Sequence, residues 1–555
     1  MSSVWSDALS IGFRHTGHVE AATPAEGDLT GRLARPSLAS AAAIVAAGFL
    51  VSRLLGVVRN VAIADSFGTG PELSAYWVAF RLPDLVFQLL AGATLGSAFI
   101  PTFARLFTKQ SEEDAWRLAR SVLNIVLLAT IVVAVLGFVL APVLVPVMAP
   151  GLGEDTGQQE ELRSLAVDLT RLMMISPVLF AVSGMFMGIL NARHHFLFPA
   201  IAPALYNIAI IVGAVFFDDV HALAYAVVIG AGLHLVVQIP ALLAVGMRYR
   251  PEAAWRDPEV REVGRLMAPR VVGLAAFQFN LLITIFFAST VSDEAISAVN
   301  YAWLITLTPL ALFGMAISTA VFPTMAEQAA DNLRELRRTL ERSLRLILFL
   351  TLPAAAALMV LSRPLVAFFF QRGAFDATST DIVQSALLYY AIGLFALAAI
   401  EILSRAFYAL RDTRTPVMFA VVALAVNLVL SAALVRPLEV RGLALSVSIA
   451  TVVEAGLLFW TLRDRIAGLD LPALGQSVGR TFVAVVLMVE AIAIYLILLE
   501  QAGHLDMNRA VDAFFALAGG SVIGTAVFGY AARALGSEEL ETVLRRVPVL
   551  ARFAG

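Results

Sequence analysis

Arg53, Arg59, Arg81, Arg171 and Arg270 stand inside stretches that are otherwise apolar enough to cross a bilayer. A guanidinium at a helix centre costs about 2.5–3.5 kcal/mol on insertion scales, so such a residue normally faces a wet cavity or a partner. Arg53, Gly56 and Asn60 fall on one stripe of a helix, with Arg59 beside it. No acid occurs in that helix before Asp65 at its far end. Two guanidinium groups without a local counter-charge suit a multivalent anion, because the planar fork takes phosphate through two bonds at once. The competing reading is structural: either group could snorkel to the interface or meet an acid on another helix.

Other candidates follow from spacing. Arg81-Leu82-Pro83-Asp84 places an arginine and an aspartate at i and i+3, where they can pair. Pro83 frees a carbonyl and bends its helix, and Pro309 lies near the corresponding place further along. These suggest a gating break at Gly56, Pro83, Asp84 and Pro309, since interrupted helices beside a cavity are a transporter device. Pro269-Arg270 opens another span, and Arg270 is expected to face Arg53 and Arg59 across the cavity. Glu401, with Asn427 and Ser431, is the candidate for ion coupling by Na+ or H+. Asn207 and Asn427 also fit the role of polar glue between helices.

No signature for bond-breaking chemistry occurs: no phosphate-binding loop, no HExxH, no GxSxG and no paired-carboxylate site. No cofactor is expected, and the absence of cysteine excludes thiol chemistry and disulfides.

The elements that must hold these groups are membrane helices. Of 555 residues, 59% are hydrophobic and 15% charged, and mean hydropathy is +0.84. A soluble fold this apolar could not cover its own surface. A net charge of −3 gives no field for nucleic acid. Apolar stretches of about 20 residues or more fall near 39–64, 73–103, 119–149, 164–191, 197–217, 221–246, 262–291, 295–326, 341–362, 379–409, 415–435, 440–462, 478–499 and 509–532. Fourteen spans are expected, in an all-α polytopic membrane protein. Arg and Lys concentrate in alternate loops, which places both termini in the cytoplasm. Residues 1–36 read as a disordered cytoplasmic tail and 536–555 as a short amphipathic cytoplasmic segment.

The chain repeats weakly. Phe99-Ile100-Pro101-Thr102 recurs as Val321-Phe322-Pro323-Thr324, 222 residues on, and Asn207 matches Asn427 at an offset of 220. An offset of six spans predicts two parallel six-helix lobes around a central cavity: 37–250 for helices 1–6 and 251–466 for helices 7–12. Helices 13–14 (467–535) are an appendix.

Ser52-Arg53-Leu54-Leu55-Gly56-Val57-Val58-Arg59, then Ala79-Phe80-Arg81-Leu82-Pro83-Asp84 and Ala98-Phe99-Ile100-Pro101, resembles the opening of the MurJ/MviN lipid II flippases. Met267-Ala268-Pro269, Tyr301-Ala302 and Val321-Phe322-Pro323 fit the same family. The resemblance spans about 37–500 and implies membership of the multidrug/oligosaccharidyl-lipid/polysaccharide exporter superfamily, with alternating access between two lobes. It implies a protein of peptidoglycan synthesis in the bacterial inner membrane, with lipid II or a related polyprenyl-pyrophosphate glycolipid as substrate. Membrane lipids and the cell-wall machinery would be its partners. Arg53 and Arg59 match the family's first-span arginines. Asn60 and Ser74 stand where many members carry Asp, and Phe87 and Leu304 where many carry arginine, so Arg270 and Arg81 are expected to restore the lost charge. The family's sodium site, an Asn and an acid one turn later, becomes Asn427 and Ser431 here. Rival readings are a flippase for another polyprenyl-linked oligosaccharide, a cation-coupled multidrug exporter and an inert membrane scaffold.

Overall fold

The computed structural model describes residues 38–90, 93–109, 111–466, 468–503 and 505–546. The side chains of 38–44, 93–98, 109, 268–270, 272–273, 276–277 and 546 lie outside that description, as does the N-terminal tail. The described elements are helical: α1 (Leu38–Phe67), α2 (Pro71–Leu90), α3 (Ala93–Lys109), α4 (Glu112–Met148), α5 (Gln159–Met173), α6 (Ile175–Ala192), α7 (Leu197–Phe216), α8 (Val220–Val236), α9 (Ile239–Ala244) and α10 (Pro258–Ser289). Then come α11 (Asp293–Pro309), α12 (Ala316–Asp331), α13 (Leu333–Val360), α14 (Ser362–Phe370), α15 (Ala377–Ala409), α16 (Arg414–Arg465), α17 (Leu471–Gln501), α18 (Ala510–Ala534) and α19 (Glu538–Arg546).

Eleven helices or helix pairs among the described residues are long and apolar enough to cross a membrane, so this is a multi-pass membrane protein. Three of the fourteen expected stretches are not among these eleven as separate spans. Within the stretch 73–103, α2 carries the charged Arg81 and Asp84, with Glu72 just before it. The stretch 262–291 lies in the single helix α10, several of whose side chains fall outside the described residues, and Gln278–Ser289 is its described apolar part. The stretches 415–435 and 440–462 are joined in α16, whose backbone breaks at Glu439 (φ 53°, ψ −132°). There the chain turns so sharply that a Cβ on Gly442 would lie 2.3 Å from the Leu434 carbonyl oxygen.

Local chemistry starts the helices where loops end. Ser111 accepts a hydrogen bond from the Asp114 amide at 3.1 Å to cap α4, and Ser292 accepts from Ala295 at 3.1 Å to cap α11. α19 docks rather than floats: Glu539 accepts from Ser477 Oγ of α17 at 2.8 Å.

One extended apolar core joins α1, α2, α5, α7 and α8 to α11, α13, α15 and α16. A second joins α3, α4 and α6 to residues 241–267, so the start of α10 packs with the early helices. Arg105 of α3 pairs with Glu262 of α10 at 2.6 Å. A third core ties α13 to α17 and α18.

Early and late helices also meet at one end of the bundle, where α1 finishes and α2 and α11 begin. Ser74 Oγ lies 2.7 Å from Ser297 Oγ and donates to the Asp293 carbonyl. Asp293 accepts from the Gly153 amide at 2.7 Å and from Thr156 Oγ1 at 3.0 Å. Thr69 and Ser379 hydroxyls are 2.9 Å apart. Gly151 lets the backbones touch, since a Cβ there would lie 2.2 Å from the Ser289 carbonyl oxygen. We call this the sealed end.

Candidate functional site

A cavity of about 250 Å³ opens among α1, α2, α6 and α7, beneath the sealed end. Half of its lining residues are aromatic: Tyr76, Trp77, Phe80 and Phe87 from α2, Phe180 from α6 and Tyr206 from α7. Phe87 and Phe180 rings lie 4.9 Å apart, and Phe180 meets Tyr206 edge-on at 5.1 Å. Two charged residues, Arg59 and Asp84, share this wall.

Arg59 is half-buried and held by amides. Its Nη1 donates to Asn207 Oδ1 at 3.1 Å and its Nη2 to Asn60 Oδ1 at 3.3 Å. Asn207 is itself fixed, donating to the Ser52 carbonyl at 3.3 Å and the Pro203 carbonyl at 3.0 Å. No carboxylate pairs with Arg59 among the described residues. Oriented neutral acceptors leave its charge available, and a guanidinium has five N–H donors to place. The geometry can therefore hold an anionic oxygen against the aromatic wall.

The other sequence-expected residues are dispersed. Arg53 is exposed, its guanidinium 4.9 Å from the Phe49 ring, and it does not line the cavity. Gly56 has open space where a side chain would go, whereas Asn60, expected on the same stripe, is buried. Arg81 and Asp84 are not joined by an ion pair: Arg81 Nη2 reaches across to Asn300 Oδ1 on α11. Among the described residues Asp84 accepts only a long 3.5 Å bond from Gln88. Arg81 Nε, Trp77 Nε1 and the Tyr301 hydroxyl are buried without a hydrogen-bond partner among the described residues. Pro83 lies inside α2, which continues past it to Leu90, while Pro309 closes α11 and is followed by a π-helical turn at Leu310–Met315. The side chain of Arg270 lies outside the described residues.

The coupling candidates are also separated. Glu401 is paired at 2.6 Å with Arg405 on the next turn of α15. Arg405 also donates to Ser318 and, at 3.0 Å, to Thr319 on α12. Sequence reading passed over Arg405, although its i, i+4 spacing from Glu401 was visible. Asn427 Nδ2 of α16 donates to Asn280 Oδ1 of α10 at 2.7 Å, and Ser431 Oγ donates to Asn427 Oδ1 at 3.2 Å. That seat has oxygens and no carboxylate. No group of three or more metal-binding side chains occurs among the described residues.

A family model described as "Lipid II flippase MurJ" matches residues 63–508. The chain is 34% identical over 464 residues to a lipid II flippase MurJ of Burkholderia cenocepacia, covering 80% of this chain and 89% of that protein. It is 31% identical over 501 residues to a probable lipid II flippase MurJ of Thermotoga maritima, covering 90% and 97%. Among solved structures, "Lipid II flippase MurJ, inward closed conformation" superposes with a TM-score of 0.72 at 22% identity, covering 89% of this chain and 98% of that one. An inward-facing multidrug resistance MATE family transporter of the MOP superfamily follows at 0.61 and 19%, covering 77% and 96%. At these identities the two structures speak to the fold alone.

Proposed function

The chain belongs to the MurJ family of lipid II flippases, and from that premise we propose how it works. It is a lipid II flippase, carrying the polyprenyl-pyrophosphate-linked peptidoglycan precursor from the inner to the outer leaflet of the bacterial inner membrane. It breaks no bond; its work is binding and gating. The alternation of basic loops puts both termini in the cytoplasm and turns the sealed end outward. The observation that carries the site assignment is Arg59, aimed by Asn207 and Asn60 into an aromatic cavity without a paired acid. A pyrophosphate oxygen would complete that guanidinium with charge-assisted bonds in a low-dielectric setting.

Residues 37–250 and 251–466 act as the two rocking lobes, and 467–535 as an appended pair. Arg53, exposed on the same helix, meets the headgroup before Arg59 does, and Arg81 and Arg270 supply further positive charge. Pro83 and Pro309 mark the helices that flex. The membrane potential or a cation gradient, sensed by Glu401 in its pair with Arg405, drives the return.

The test is complementation in a bacterium depleted of its own lipid II flippase, with lipid II in the outer leaflet as the readout. Wild type rescues, and Arg59→Ala at equal expression does not. Rescue by Arg59→Ala would remove the anion site while leaving the function. Failure of wild type despite correct insertion would shift the substrate to another polyprenyl-linked glycan.

A further inference from the structure

The cavity holds a second charged group that the anion site does not use. Asp84 is half-buried and lines the cavity. It has no ion pair within 4 Å among the described residues, and its one hydrogen bond, from Gln88, is 3.5 Å long. The two nearby cations make their hydrogen bonds to amides and not to this carboxylate: Arg81 to Asn300 on α11, Arg59 to Asn207 and Asn60. A carboxylate in such a setting is costly unless a positive charge reaches it.

We propose that Asp84, framed by the rings of Trp77, Phe80, Phe87 and Phe180, is a binding site for an organic ammonium group. It deepens the flippase reading and rests on it: Arg59 takes the anionic part of the headgroup and Asp84 takes an amine on its peptide arm. The choice of ligand follows from the walls. A hard metal ion asks for a shell of oxygens, but here the carboxylate is accompanied by a few hydroxyls and much aromatic carbon. An alkylammonium uses both surfaces, pairing with the carboxylate while ring faces attract its charge. Size limits the rest. The cavity's roughly 250 Å³ compares with about 30 Å³ for one water's share of the liquid. That admits an aminoalkyl arm beside a phosphate group at Arg59 and leaves the sugars outside. Phe87, where the family resemblance leads one to expect an arginine, fits this arrangement, because an arginine there would neutralise Asp84 from within.

The test uses purified full-length protein in detergent. Ethylammonium chloride is titrated against sodium chloride at equal ionic strength, reading thermal unfolding and the fluorescence lost in a Trp77→Phe control. A saturable response to ethylammonium alone is expected, absent in Asp84→Asn and retained in weakened form in Asp84→Glu. Lipid II with its peptide amine acetylated should bind wild type at least tenfold more weakly than unmodified lipid II. An equal response to sodium, a response that survives Asp84→Asn, or unchanged affinity on acetylation each overturns the site. If Asp84→Asn does not fold, the comparisons on wild type still decide. The titration needs no lipid substrate, so this proposal and the flippase reading can fail separately.

Discussion

The contact of α1 with α7 and that of α10 with α16 use corresponding positions in the two halves of the chain. Asn207 and Asn427 are 220 residues apart, and their partners Arg59 and Asn280 are 221 apart. In the first contact a guanidinium donates to the asparagine; in the second the asparagine donates to another amide. The first borders a cavity, while Asn427 and Ser431 in the second are fully buried. A guanidinium meeting two amide oxygens keeps donors and a full charge in reserve. Two amides and a hydroxyl largely satisfy one another. The same helix-to-helix joint becomes a site in one half and a rivet in the other because of one side chain.

The sharpest way to break this comparison is to make the halves alike. Arg59→Asn should lower lipid II flipping roughly 100-fold, about 2.7 kcal/mol in the barrier, at normal expression. Asn207→Ala keeps the charge and loses its aim, so a loss of about tenfold, 1.4 kcal/mol, is expected in the same proteoliposome assay. Asn427→Ala should act on stability instead. It removes the hydrogen bond that the half-buried Asn280 amide oxygen accepts, costing about 1 kcal/mol, seen as a lower Tm with little change in transport per folded molecule. Exchange of sodium for choline should leave its transport unaltered relative to wild type.

The smallest effect concerns the turns. Those at His194 and Arg411 each hold a residue at φ 61°, but only the second is followed by a carboxylate, Asp412. Burial alone would push Asp412 up; the hydroxyl and amide of Thr415, together with Arg465 and the Arg414 amide, outweigh it and bring its pKa to about 2. A depressed folded-state value means its contribution is complete above the ordinary carboxylate range, near 4. It is lost as pH falls through about 2. Acid unfolding of Asp412→Asn should therefore lack part of the wild-type slope between those limits.

Much of the fold was legible because burial in lipid leaves a one-dimensional signature: long apolar runs punctuated by charge. Where that signature was mixed, the reading was coarser. α2 carries three charged residues, and nothing local reveals that Arg81 looks to Asn300, 219 positions away, rather than to Asp84 three positions on. A helical stripe told that Arg53 and Asn60 share a direction; it could not tell how far up α1 the neighbouring helices reach, so one is exposed and the other buried. Arg59 was legible as a charge without a local partner. Its amide holders were not, because Asn207 comes from a helix 148 residues away.

The sealed end carries a consequence for the energetics of the cycle. Its hydroxyls, amides and carboxylate at Ser74, Ser297, Thr69, Ser379, Thr156 and Asp293 are groups that water can serve almost as well. Parting an apolar seam would cost about 25 cal/mol for each Å² wetted; exchanging a protein hydrogen bond for water costs only about 0.5–1.5 kcal/mol net. The three stranded donors just below, on Trp77, Arg81 and Tyr301, push the other way, since flooding would give each a partner. The seam is a zip fastener whose teeth are wettable. What a substrate molecule has to meet on opening is therefore the apolar packing of α2 against α11 beside those teeth, and little from the hydrogen bonds themselves.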